Sequence, residues 1–202
     1  MARAFDTFAR GRQILGQAKI ALPANAPCPL NITRAESLIK IVSDIASGDV
    51  SLGLVPAAKT TAKDAWWPLL LSRGAGKVKI TGLVGGLYAL EQDERPFMFD
   101  RSVVAFATSG PVSPTWLKMA LQKHEVPFFK LVDSTAAAGG IALFLVELSQ
   151  KIVNDRDKVF SLDTELNGVK LKFAGLLGGY NIVKQGVVGK VIPLSDQVKA
   201  LG

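Results

Sequence analysis

The residues of this chain best suited to handling a phosphate lie in two copies of one segment. Lys77-Val-Lys-Ile-Thr-Gly-Leu-Val-Gly-Gly86 recurs as Lys170-Leu-Lys-Phe-Ala-Gly-Leu-Leu-Gly-Gly179, with six of ten positions identical. Lysines running into a glycine cluster could in principle cradle phosphate oxygens. The glycines, however, match neither the GxGxxG nor the GxxxxGK[ST] spacing, and Leu87–Leu90 and Tyr180–Val183 read as further strand. A phosphate cradle needs a helix N-terminus behind its loop. The glycines are therefore read as bulges or bends at the ends of two basic-faced strands.

Other reactive groups are scarce. His124 is the sole histidine and sits between Lys123 and Glu125 at the expected end of a helix, a solvent-facing setting that gives a Ser-His-Asp triad no base. Cys28 is the sole cysteine, held between Pro27 and Pro29, and is expected to be a structural thiol. One histidine and one cysteine are too few soft ligands for zinc. Asp155 and Asp157 lack the remainder of a calcium loop. The sequence thus predicts no catalytic set, no metal and no cofactor.

The elements that carry the lysines follow from periodicity. Asn167-Gly168 is the preferred two-residue hairpin turn. Pairing across it sets Leu166 opposite Val169, Thr164 opposite Leu171 and Leu162 opposite Phe173 on one face. The other face sets Glu165 opposite Lys170 and Asp163 opposite Lys172, so apolarity and charge specify the same register. Lys170 and Lys172 are thereby matched to acids. Lys77 and Lys79 have no evident local acidic partner and stand as candidates for a basic face.

Upstream, Leu38–Ile45 and Val50–Val55 are β-branched runs separated by Ser47-Gly48-Asp49, and both read as strands. Trp66 and Trp67 read as core or interface anchors pointing to opposite faces of a strand. Arg101–Ala107 is a further strand. Ser113 caps and Pro114 opens a short helix carrying Trp116, Leu117, Ala120 and Leu121 at helical spacing. Strands follow at Val126–Val132, Ile141–Leu148 and Val187–Ile192.

Residues 1–22 read as a separate arm. Arg3, Arg10, Arg12 and Lys19 face only Asp6, so this tenth of the chain holds +3 of a formal net charge of +7. Phe5, Phe8 and Ile14/Leu15 suggest a short amphipathic helix, and Pro23, Pro27 and Pro29 break it from a body spanning 23–202. With 49% hydrophobic and 20% charged residues in 202, the body can hold a full core. A mean hydropathy of +0.28 suggests that some apolar surface is covered by self-association. No apolar run approaches the roughly 20 residues of a membrane span, and the charged N-terminus lacks a signal-peptide core. An intracellular protein attracted to polyanions is expected.

The order strand, helix opened by Ser113-Pro114, strand, small-residue loop, strand over Arg101–Leu148, with Lys77–Leu90 before it, resembles the jelly-roll coat proteins of small plant RNA viruses. That resemblance implies a mainly β, antiparallel two-sheet sandwich with an inserted helix and a basic N-terminal arm. It implies a structural, non-enzymatic protein of the virion and host cytoplasm that self-assembles and packages RNA without sequence preference. Arg3, Arg10, Arg12 and Lys19 would contact phosphates, with Lys77 and Lys79 a second group. Two other readings stay open: a movement-type RNA-binding protein, and an enzyme or ligand binder with an apolar β cavity using Asp, Glu, Lys or Tyr88 and Tyr180.

Overall fold

The computed structural model of the chain describes residues 20–23, 33–61, 64–72, 76–84, 86–92, 99–149 and 159–182. Its strands are β1 (Ile20–Pro23), β2 (Thr33–Ala35), β3 (Leu52–Pro56), β4 (Val78–Val84), β5 (Leu87–Gln92), β6 (Arg101–Thr108), β7 (Phe128–Ala136), β8 (Ala142–Leu148), β9 (Asp163–Leu166) and β10 (Val169–Tyr180). Helix α1 covers Leu38–Ser47 and α2 covers Pro114–Lys123. The fold is mainly β. All ten strands of the described residues join one mixed sheet in the order β2-β1-β3-β5-β4-β10-β6-β8-β7, with β9 paired to β10 beside that path.

Several expectations hold. The Asn167-Gly168 hairpin forms with Leu166 opposite Val169, Glu165 opposite Lys170, Thr164 opposite Leu171 and Asp163 opposite Lys172. The Lys172–Asp163 ion pair closes at 2.8 Å, and Phe173 N donates to Leu162 O at 2.9 Å. Ser113 caps α2 by accepting from Trp116 N at 3.1 Å, with Pro114 in its first turn. The glycines do mark irregularities: the ladder shifts register between Ile80 and Gly82 in β4, and at Phe173/Gly175 and Leu176/Gly178 in β10. Thr81, whose buried hydroxyl has no hydrogen-bond partner, sits in the first of these breaks.

Other expectations are corrected. The sheet is not antiparallel throughout, because β1 runs parallel to β2 and β3, and β4 runs parallel to β10. Leu38–Ile45 is helix, not strand. Leu38, Ile41, Val42 and Ile45 share one helical face, Ser37 caps by accepting from Lys40 N at 3.1 Å, and Gly48 at φ +85° ends the helix. That face presses on β3 so closely that a side-chain carbon at Gly53 would strike Ile41 and Ile45. Trp66 and Trp67 are not on a strand; they open a 3₁₀ turn (Trp67–Leu71) and both enter the same core. Gly86, at φ +82°, reverses the chain between β4 and β5, so the first glycine cluster ends in a hairpin rather than a continuing strand. β1 straddles the expected arm boundary at residue 22 and belongs to the sheet. Residues 1–19, Cys28, Asp155, Asp157 and Val187–Ile192 lie outside the described residues.

The path of the sheet is strongly curved. Three strands separate β5 from β8, which in a flat sheet would hold them about 19 Å apart, yet the Tyr88 hydroxyl of β5 donates to Glu147 of β8. Residues from both ends of the path, such as Val55, Ile80 and Leu90 with Val103, Val132 and Leu145, fill one core capped by α1 and the two tryptophans. Alternate residues of β6 and β8 (Val104, Phe106, Phe144, Val146, Leu148) point the other way, into a second core under Leu117, Ala120 and Leu121 of α2. The two copies of the repeated segment lie side by side where β10 meets β4, joined by the single backbone pair Gly178–Ile80.

Candidate functional site

Burying a carboxylate is costly unless its oxygens are taken by donors. The inner face of β7 and β8 buries two. Glu147 shares its face with Leu145 and is wholly inaccessible (0%). One of its oxygens accepts from the Tyr88 hydroxyl and lies 3.4 Å from Lys130 Nζ; the other accepts from the Tyr180 hydroxyl at 2.8 Å. The Tyr88 ring stands 6.2 Å from Trp66 and 6.3 Å from Tyr180. One carboxylate therefore ties β5, β7 and β10 to β8.

Burial pushes both tyrosines well above their ordinary value of 10, and the neighbouring Glu147 pushes them further; the Arg101 charge opposes this at Tyr180. A raised folded-state value favours the neutral phenol in the folded protein. That stability is complete below pH 10 and is lost as pH rises above it, because the unfolded chain then sheds protons the folded one retains. Alkaline unfolding followed by circular dichroism is therefore expected to set in above pH 10. A Y88F/Y180F double variant should show a shallower fall over that range. An identical fall would place the alkaline transition elsewhere.

Asp133, 3% exposed, has a different task. One oxygen accepts from Thr60 Oγ1 at 2.6 Å, Thr60 N at 3.3 Å and Trp67 Nε1 at 3.1 Å; the other accepts from Ser134 N at 2.8 Å. It fastens the segment leading to the tryptophans across β7. In D133N the amide nitrogen cannot accept, so about 1–3 kcal/mol of stability should be lost. Urea midpoints measure this, and an unchanged midpoint would contradict the assignment.

With its oxygens occupied and no exposed surface, Glu147 is not placed to take a proton from an outside substrate. What the cluster presents to solvent is cationic and aromatic. Arg101 pairs with Tyr180 across β6 and β10, Val103 with Glu147, and Glu147 with Lys130, so Arg101, Tyr180, Glu147 and Lys130 share one face at one end of the sheet. The Lys130 side chain is 42% exposed, and the Arg101 guanidinium stands 3.8 Å from the ring centre of Phe129, itself 47% exposed. Asp100 and the Asn181–Ile182 turn fasten this end, with Asp100 N donating to Asn181 Oδ1 at 3.2 Å and Ile182 N to Asp100 Oδ2 at 3.1 Å.

Of the residues expected to contact nucleic acid, Arg3, Arg10, Arg12 and Lys19 lie outside the described residues. Lys77 is exposed just ahead of β4. Lys79 departs from expectation: it is half-buried, its ammonium reaches Leu176 O at 3.4 Å, and Glu91 stands opposite it in β5. Burial lowers its pKa. It is turned toward the adjacent strand β10, which carries Leu176. His124 ends α2, as expected. Among the described residues no group of three His, Cys, Asp or Glu could hold a metal, and no helix is long and apolar enough to cross a membrane.

Asp133, Lys130 and Arg101 carry no local signal in the sequence that marks them as site residues. The signal was there for Glu147: alternation through Leu143, Leu145 and Glu147 places it on a buried face, where it must find donors.

No family model and no curated protein matches the sequence. Among solved structures, the chain is similar to a prephenate dehydratase from Streptococcus mutans at 17% identity, over 82% of this chain and 100% of that one, with a TM-score of 0.46. It is also similar to GqqA, described as a novel type of quorum-quenching acylase, at 10% identity, over 84% and 97%, with a TM-score of 0.49. Both scores fall below 0.5, and neither protein's chemistry is carried over.

Proposed function

We propose that the protein is a non-enzymatic, self-associating carrier of single-stranded RNA, of which a small-virus coat protein would be one case. The observation that carries this reading is the inward use of acid in a chain with a net charge of +7. Asp133 and Glu147 are spent on internal donors, while Lys77 is exposed and the Lys130 side chain, though it meets Glu147, stays 42% exposed. The curved sheet, with both ends of its path lining one core, supports a sandwich-like layering of the kind coat proteins use. Among the described residues the sheet also ends at β7, beside exposed Phe129 and Ile141, which supports coverage by another copy. Light scattering and electron microscopy of the purified chain, with and without RNA, test this. Association that grows with RNA at low salt and reverses at high salt is expected. A monomer indifferent to RNA at every salt concentration overturns it.

A second reading, a ligand-binding or catalytic protein, draws on the Glu147–Tyr88–Tyr180–Lys130 cluster, which includes both tyrosines named as candidate acid/base groups. Small-molecule binding that survives in a monomer and is lost in Y180F would favour it.

A further inference from the structure

We propose that Arg101, Phe129 and Lys130 form a base-stacking RNA contact, a site that deepens the carrier reading above and rests on it. Three observations converge. Phe129 is among the most exposed large apolar side chains of the described residues, although it lies one residue from a buried polar cluster. The Arg101 guanidinium covers the ring at 3.8 Å, so ring and cation already form half of a stack. Lys130, next to it in β7, has a side chain 42% exposed, with its ammonium 3.4 Å from the buried Glu147 carboxylate.

An aromatic ring flanked by two cations fits a nucleotide. The base lies on the open face of Phe129, Arg101 takes an adjoining phosphate, and the part-exposed Lys130 side chain flanks the site. Every base has a π face, so such a contact is indifferent to sequence. The register shift between Phe128 and Lys130 places Phe129 in a bulge, outside the regular alternation of β7. Bulges of this kind re-aim a side chain. The site lies at the opposite end of β10 from the paired lysines of the hairpin, and it includes neither Lys77 nor Lys79.

The test uses the whole chain, a labelled mixed-sequence RNA 12-mer and, as a polyanion without bases, heparin. F129A should weaken RNA binding about tenfold, the loss of one stacked base, and leave heparin binding unchanged; F129W should restore it. R101A should weaken both and reduce the salt slope by about one charge. Thermal midpoints close to wild type in F129A and R101A exclude unfolding as the cause. If wild type binds RNA and neither variant weakens it, this site is wrong and the carrier reading stands. If F129A weakens RNA and heparin equally, stacking is wrong. If wild type binds neither probe at low salt, the carrier reading falls and takes this site with it.

Discussion

Replacing Glu147 with alanine should cost about 3–5 kcal/mol of folding stability. The substitution removes the acceptor for two tyrosine hydroxyls and the neighbour of Lys130 at once. Tyr88 is fully buried and cannot turn to water for a replacement partner. Each phenol left without an acceptor in an apolar core contributes about 1–3 kcal/mol to the loss. A domain has only about 5–15 kcal/mol in all, so E147A should unfold at markedly lower urea concentration. E147Q retains one acceptor oxygen but sets an amide donor against donors, and should fall between E147A and wild type. The single variants differ: Y88F leaves its carboxylate oxygen beside Lys130 and should cost about 1 kcal/mol, whereas Y180F strips the donor from the other buried oxygen and should cost about 1–3 kcal/mol. If E147A lost less than either, the cluster would have to be open to solvent.

Gly178→Ala should be at least as damaging, at about 4 kcal/mol or more. Gly178 adopts φ +128°, which side-chain-bearing residues rarely reach, and it forms the one backbone pair between β10 and β4. A methyl group there would press into the backbone of Ile80, with its nitrogen at 2.6 Å and its carbonyl carbon at 2.8 Å. Backbone in mid-sheet cannot step aside as a side chain can. Gly175, three residues earlier, supplies the control. Its added methyl would meet only the end of the Leu71 side chain, and its φ is unexceptional, so G175A should cost about 1 kcal/mol. Soluble yield and urea midpoints of the two variants should differ sharply. Equal losses would mean that β10 tolerates a side chain at either position.

How far the sequence disclosed this fold depends on the range of the interactions. The Asn167-Gly168 hairpin was legible because turn chemistry, apolar alternation and charge pairing agree within a dozen residues. Ser113-Pro114 announced α2 in the same local way. Helix α1 was concealed by its composition: β-branched Ile39, Ile41, Val42 and Ile45 suggest strand, and only the spacing 38, 41, 42, 45 between Ser37 and Gly48 reveals the helical face. The buried cluster was beyond local reading. Tyr88 and Glu147 are 59 residues apart, and nothing near either one names the other. Lys79 lost its expected exposure for a similar reason, since the strand that covers it begins at Val169. Residue types narrowed the chemistry, but the curvature of the sheet decided which of them meet.

The position of β10 has a consequence for biosynthesis. β4 is complete at Val84 and β6 at Thr108, but the strand inserted between them begins only at Val169. During translation the early and late parts of the sheet emerge with facing edges bare, and they wait for the segment that joins them. Bare edges are templates for strands of other chains. A nascent chain of this protein therefore passes through an interval in which a neighbour's β10 could fill the gap as well as its own, an exchange that a finished sheet no longer permits.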